Sequence, residues 1–369
     1  MQVIFFILTF FAIVGALDRC FGNRLGYGEK FQEGICVTGP LVLAMVGILS
    51  LSPVISNLAE PFVNGLYNRT GIDPSIYINS FLAVDMGGYF LAKDLAIQKE
   101  LVNFSGLILG SMLGTVVIFT MPVAFGMIDE NSKESFSKGV LSGIATIPLG
   151  CFVAGIMMNL KISLVIYNLI PVVIFSSLIC IGLWFFPEKT CGIFDKFGKM
   201  MTVIISIGLI LTILETMIGI SLIEGLNPID ESMKTVIRIA LTLAGAFPFL
   251  HFIKTYFGSA LSRFGKILGI DDDGVAGFMA SLVNCIPMFG IFNKMNNQSK
   301  IINSAFSVGG AYVFGGQLGF VAGVSPETIA PFIVAKLISG FSAIYLAKIM
   351  FIDKKEDKKN YITVGKELI

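Results

Sequence analysis

Asn79-Ser-Phe-Leu-Ala-Val-Asp-Met-Gly-Gly-Tyr-Phe-Leu-Ala92 reads as a helix at lipid depth, with a carboxylate, Asp85, in its middle and the pair Gly87 and Gly88 just after it. An acid inside a bilayer costs on the order of a few kcal/mol, so it faces a cavity, a partner or a ligand. Two glycines can unwind the helix beside it and free backbone carbonyls. An acid at a helix break suggests a site for a cation.

Of 369 residues, 55% are hydrophobic and 14% charged, against about 25% charged in soluble domains. The mean hydropathy is +0.84. One soluble core cannot hide that much apolar surface, so the expected class is an all-α polytopic membrane protein embedded in the lipid bilayer. The apolar runs are long and continuous rather than short and alternating, which argues against a β-barrel. A net charge of +1 gives no footprint for nucleic acid. The cysteines (Cys20, Cys36, Cys151, Cys180, Cys191, Cys285) are scattered, and His251 is the single histidine. Neither has metal-ligand spacing, so no metal or cofactor is expected. No P-loop, no nucleophile–base set and no nucleotide-sized soluble domain is present, so the chain does not read as an enzyme or an ATP-driven pump.

Residues 2–17 are apolar, end at Asp18-Arg19, and lack a basic leader and an A-x-A cleavage site. They read as a retained first span rather than a signal peptide. Further spans are expected at 35–57, 74–92, 103–128, 136–158, 162–186, 200–222, 235–257, 274–293, 300–323 and 326–351. That makes about 11 transmembrane helices, each near the roughly 20 residues a bilayer requires. The lysine-rich end, 352–369, reads as a polar cytoplasmic tail. An odd span count then puts the N-terminus outside, although the basic loops 187–199 and 254–273 would also fall outside.

Gly71-Ile-Asp-Pro74 recurs as Gly269-Ile-Asp-Asp272, 198 residues later. Asp18 corresponds to Glu215, and Asp85 falls opposite Asn284. The expected plan is two pseudo-symmetric halves: an N-terminal repeat at 1–158, a linking helix and loop at 159–199, and a C-terminal repeat at 200–351. Such repeats are the usual plan of secondary transporters, with broken helices meeting near the midplane. Five spans, one, and five give parallel repeats; inverted repeats would need a miscounted span or a re-entrant segment.

The candidate binding residues are Asp85, Gly87, Gly88 and Tyr89 at the first break and Asn284 and Pro287 at the second. Asn303 and Gln317 are polar side chains in the repeat-related span. Tyr89, four residues beyond Asp85, could offer its ring to a cation. Glu215, Asp18 and Lys93 are candidates for coupling or gating. Each has a plainer reading: Asp85 neutralised by protonation or by Lys93 or Lys336, proline and glycine kinks used for packing, and amides bonding between helices. Gly106, Gly110 and Gly114 form a small-residue stripe and read as helix contact. Asp271-Asp-Asp273 reads as a solvated helix N-terminus.

Several strings resemble one family. They are Gly28-Glu-Lys-Phe-Gln-Glu-Gly34, Leu43-Ala-Met-Val-Gly47, Val84-Asp-Met-Gly-Gly-Tyr-Phe-Leu-Ala92, Ser105-Gly-Leu-Ile-Leu-Gly-Ser-Met112, Ile147-Pro-Leu-Gly-Cys151, Asn284-Cys-Ile-Pro-Met-Phe-Gly290 and Ala335-Lys-Leu-Ile-Ser-Gly340. Together they resemble the ethanolamine transporters of bacterial ethanolamine-utilisation (Eut) operons. The resemblance implies a permease in the bacterial plasma membrane that brings ethanolamine into the cytoplasm. Asp85 would then pair with the substrate ammonium, and an amide such as Asn284 or Gln317 would take its hydroxyl. Alternating access, facilitative or ion-coupled, is the first expectation. A channel-like facilitator, a carrier of another small amine, and a membrane enzyme acting on ethanolamine lipids are the alternatives. A homo-oligomer is compatible with the sequence.

Overall fold

Backbone at lipid depth must satisfy its own hydrogen bonds, so apolar runs of this length fold as helices. The computed structural model describes residues 2–353, and the lysine-rich tail from Lys354 onward lies outside the described residues. The chain opens with α1 (Gln2–Cys20), α2 (Tyr27–Cys36) and α3 (Thr38–Thr70). Asp18 closes the loop between α1 and α2, its carboxylate accepting the Leu25 and Gly28 amides at 3.0 Å each. α3 runs through Pro53 and Pro61 to a left-handed cap at Gly71. The expected connector 58–73 is therefore largely helix, because a proline removes one helical bond without forcing the chain to stop.

α4 (Pro74–Phe81) and α5 (Tyr89–Leu95) contain the opening stretch. As a continuous helix, residues 73–98 would span roughly 38 Å. Instead the two ends touch: Asp73 caps α4 by accepting the Ser75 amide at 3.0 Å, and its second oxygen accepts the Gln98 amide at 2.7 Å. The segment is a re-entrant hairpin with α5 packed back on α4. At its tip Leu82 and Ala83 are extended, and Val84–Gly88 forms one wide, irregular turn. Gly87 sits at φ +94°, and a Cβ there would lie 2.3 Å from Ile48. Only glycine fits that conformation in that space.

The span Lys99–Met127 follows, with widened π turns over Phe104–Gly114 and Val116–Thr120, and ends as α6 (Met121–Met127). Its glycine stripe is the floor of the hairpin. Gly106 faces Tyr89, Gly110 faces Asn79, and a Cβ on Gly114 would stand 2.0 Å from the Leu82 carbonyl. Then come α7 (Glu130–Met157), α8 (Ile162–Phe185), α9 (Pro187–Ile218) and α10 (Ile229–Leu268). Residues 187–199, expected as a loop, are the first turns of α9.

The hairpin pattern then repeats with α11 (Asp272–Ser281) and α12 (Cys285–Ile291). Asp271 caps α11 through the Gly274 amide at 2.8 Å, and its second oxygen accepts the Asn296 amide at 2.6 Å. Asp73 and Asp271 stand 198 residues apart, and so do Gln98 and Asn296. α13 (Asn297–Gly309), α14 (Gly316–Val324) and α15 (Ile329–Ala347) complete the described fold. Freed carbonyls of the second tip are taken by the turn between α13 and α14, where Tyr312 and Phe314 amides donate to Ser281 and Leu282, each at 2.9 Å. Gly315 lets that turn close on Val283, whose carbonyl lies 1.9 Å from where a Cβ would be. The break itself lies ahead of Pro287, which sits in the first turn of α12. A proline has no N–H for the carbonyl four residues back, here Val283, and its ring crowds that carbonyl.

The expected spans at 74–92 and 274–293 therefore do not cross the bilayer. Seven runs are long and apolar enough to cross it. The expected count of about eleven is not reached by these seven runs among the described residues, to which α1 and the interrupted pair α13–α14 add shorter helical passages.

Helix ends sort onto two faces. On one, the Tyr167 hydroxyl donates to Thr70 at 2.5 Å, the Asp73 amide to Asn168 at 2.9 Å, and Asn103 to Ser325 at 2.9 Å. On the other, the Asp129 amide donates to Asn293 at 3.1 Å, Gln298 donates to Leu268 at 2.7 Å, and the rings of Trp184 and Phe351 lie 6.1 Å apart. The loop after α1 belongs to this second face, since Lys30 and Glu33 share a cavity with Asp272. α7, 28 residues long, runs from the second face to the first. The first hairpin thus dips in from the first face and the second from the opposite one.

In membranes or proteoliposomes, single cysteines placed at the exposed positions Lys99 and Asn297, in a background lacking the exposed Cys20 and Cys36, should react with an impermeant maleimide from opposite sides. Labelling from one side would overturn the two-face arrangement. The Asp271 clamp predicts a pH dependence. Burial raises this carboxyl, but hydrogen bonds from the Asn296 amide, the Ser299 hydroxyl and the Gly274 amide outweigh it, leaving it below the ordinary 3.8. Its contribution is complete above the unfolded value and is lost as pH falls through the folded one. Asp271→Ala should cost about 1–2 kcal/mol at neutral pH. It should also flatten the acid limb of the melting temperature in detergent below about pH 4.

Candidate functional site

The first hairpin presents Asp85 at its tip, half-buried. Among the described residues no other residue hydrogen-bonds its carboxylate, whereas Lys336 and Tyr312 lie within electrostatic reach of it. The cause is local: the chain around Asp85 is neither strand nor regular helix, so the side chain projects from an irregular turn. The glycines after it leave no side chain to cover it.

Lys336 comes from the middle of α15 and is completely buried. Its ammonium donates to the Ser111 carbonyl at 2.7 Å and to Gln317 Oε1 at 2.9 Å, and lies 5.4 Å from the centre of the Phe332 ring. The Gln317 amide nitrogen donates to the Thr115 hydroxyl at 2.8 Å, and the Thr115 hydroxyl donates to the Gly110 carbonyl at 2.9 Å. One chain of hydrogen bonds therefore ties α14, α15 and the π-turned span to the floor of the hairpin.

Tyr312 enters from the turn between α13 and α14, with a left-handed backbone at φ 60°. Its hydroxyl is buried without an oxygen or nitrogen partner, and the Cys285 thiol of the second hairpin lies beside it. The thiols of Cys285 and Cys151 also lie within electrostatic reach of Lys336. The two tips thus converge on one polar cluster inside an otherwise apolar bundle. Asn79 lies beneath the first tip, donating to Ser75 at 2.9 Å while its side-chain oxygen has no partner.

Of the residues expected from sequence, Asp85, Gly87, Gly88 and Gln317 come together here. Tyr89 flanks them, its ring edge-on to Phe320 at 5.7 Å. Asn284 caps α12 by accepting the Ile286 amide at 2.9 Å. With Pro287 it lines a separate cavity of about 830 Å³, shared with Lys30, Glu33, His251 and Asp272. Asn303 braces the second hairpin near its base, donating to Gly274 and Ser299 carbonyls at 3.0 Å each. Glu215 is exposed on the last turn of α9, Lys93 is exposed on α5, and Asp18 is occupied by its loop. None of these three lies in the polar cluster.

Lys336 was legible by the same rule that singled out Asp85. It is a lone charge in the apolar run Ile329–Ala347. Ser111 contributes a backbone carbonyl, and Tyr312 and Thr115 carry ordinary side chains in apolar stretches, so only tertiary placement marks them.

A family model described as "Ethanolamine utilisation protein, EutH" matches residues 1–350. The probable ethanolamine permease EutH of Listeria monocytogenes is 41% identical over 367 residues, covering 98% of each chain. The probable ethanolamine permease EutH of Escherichia coli is 36% identical over 394 aligned positions, covering 96% of each. Bacillus subtilis YxeR, which bears no functional name, is 41% identical over 342 residues. No solved structure matches the chain. With a full-length family match and relatives of this identity, the chain belongs to the EutH family of ethanolamine utilisation proteins.

Proposed function

We propose that this protein carries ethanolamine across the bacterial plasma membrane by alternating access, binding it between the two hairpin tips. The observation that carries the proposal is Asp85: a carboxylate at the tip of a re-entrant hairpin, without a hydrogen bond from any other described residue. Ethanolamine is a cation at neutral pH, and its ammonium is the partner such a group lacks. The unpartnered Tyr312 hydroxyl supports a second contact, to the substrate hydroxyl. Asn284 and Gln317 already spend their side-chain oxygens on the Ile286 amide and on Lys336. They fit the hydroxyl less well in this conformation.

The halves 1–158 and 200–351 act, on this reading, as inverted repeats joined by α8. A hairpin from each face supports that polarity, as does the recurrence of one clamp at a 198-residue offset. Orientation follows from charge. The second face carries Arg19, Arg24 and Lys30, the α7 start with Lys133 and Lys138, the α9 start with Lys189, Lys196 and Lys199, and Lys294 and Lys300. The first face carries Arg69, Lys93, Lys99, Lys161 and Lys234, together with the acidic stretch from Glu224 to Glu231. Basic loops stay in the cytoplasm, so the second face, where the described chain ends, is cytoplasmic. The basic segments 187–199 and 254–273, expected as loops but largely helix ends, which eleven crossings would have put outside, fall inside once the hairpins stop counting as crossings.

A charge-assisted hydrogen bond is worth about 1.5–3 kcal/mol. Asp85→Asn should therefore raise the KM for labelled ethanolamine uptake about 10- to 100-fold, and Tyr312→Phe should narrow the preference for ethanolamine over ethylamine. Unchanged saturable uptake by Asp85→Asn would remove Asp85 from the site.

A further inference from the structure

We infer that Lys336 is a tethered stand-in for the substrate cation, held in a neutral cradle while substrate occupies Asp85 and moving onto Asp85 when the carrier is empty. The inference rests on the reading of Asp85 as the ammonium's partner. A fully buried ammonium is costly unless paired and hydrogen-bonded. Yet among the described residues Lys336 has no ion-pair partner: its protons go to a backbone carbonyl and an amide oxygen, and its third neighbour is an aromatic face. Among the described groups within its electrostatic reach, Asp85 is the one carboxylate; the others are thiols.

The cradle is built rather than incidental. Thr115 holds the Gln317 nitrogen at 2.8 Å, which fixes the amide so that its oxygen faces Lys336, and Gly110 in turn fixes Thr115. A lysine carries its charge on four flexible carbons, so the ammonium can leave this cradle without moving α15. The consequence lies in the transport cycle. A loaded tip is neutral because the substrate ammonium sits on Asp85. An empty tip would carry a bare carboxylate through a low-dielectric layer, which is costly. Lys336 removes that cost by taking the vacated place, so the empty carrier can return. The same lysine competes with substrate for Asp85, which sets a ceiling on affinity.

Purified protein in proteoliposomes tests this by comparing two readouts for labelled ethanolamine: net uptake into empty vesicles and counterflow into ethanolamine-loaded vesicles. Counterflow needs only the loaded carrier to move, whereas net uptake needs the empty one. Lys336→Gln should lower net uptake at least about tenfold, since removing one partner of a buried charge pair is strongly unfavourable, while counterflow stays within about twofold of wild type. Parallel loss of both, or loss of neither, would overturn the inference. Gln317→Leu gives an independent check on a chain that keeps its lysine. With half the cradle gone Lys336 stays on Asp85, so the KM in counterflow should rise while its maximal rate holds; an unchanged KM would overturn the inference. Failure of the Asp85 reading shows separately, as an Asp85→Asn protein whose counterflow saturates like wild type.

Discussion

Two carboxylates set the geometry on which the rest depends. Asp73 and Asp271 each accept a bond from the first turn of a helix and another from the amide where the chain comes back. A carboxylate has two oxygens with room for several donors, so one side chain can cap a helix and close a loop of about two dozen residues at once. That closure converts an apolar stretch long enough to cross a membrane into a hairpin that only enters it. Tip position, crossing number and the sidedness of every later loop follow from it.

Packing makes the hairpins tolerable at depth. A tip has carbonyls with no helical partner, and in lipid each would cost several kcal/mol. The second tip gives two of its carbonyls to Tyr312 and Phe314 amides. Both tips are approached closely by glycines, Gly114 under the first and Gly315 against the second. Small residues there are steric requirements of irregular backbone buried in protein. They also explain why the helix after the first hairpin carries its glycines in a stripe: the stripe is a floor for the hairpin rather than a seam between two regular helices.

The polar cluster follows from the same arrangement. Asp85 reaches it because its hairpin ends inside the bundle, Cys285 because the opposite hairpin does, and Lys336 because α15 packs against α14 and against the π-turned span that floors the first hairpin. A carboxylate without a hydrogen-bonding partner beside an ammonium held by neutral acceptors is a pair kept apart. This supports a site whose middle is meant for a third, cationic group. Ethanolamine transport is the function to which the family match and that chemistry both lead.

Much of this was readable in the chain itself. Composition alone determined an α-helical membrane protein, because no soluble core hides so much apolar surface. The acid and glycines of Asp85–Gly88 marked a break, and the recurrence of Gly-Ile-Asp picked out the two aspartates that are the clamps. What sequence could not decide was whether residues 74–92 and 274–293 cross or turn back, since hydropathy measures apolar length and is blind to where a segment ends. Nor could it place Gln317, rather than Asn284, beside Lys336. Those depend on contacts between residues two hundred positions apart, such as Lys336 with Ser111 and Gln317 with Thr115. Only the closed hairpins and the packed bundle bring them within reach.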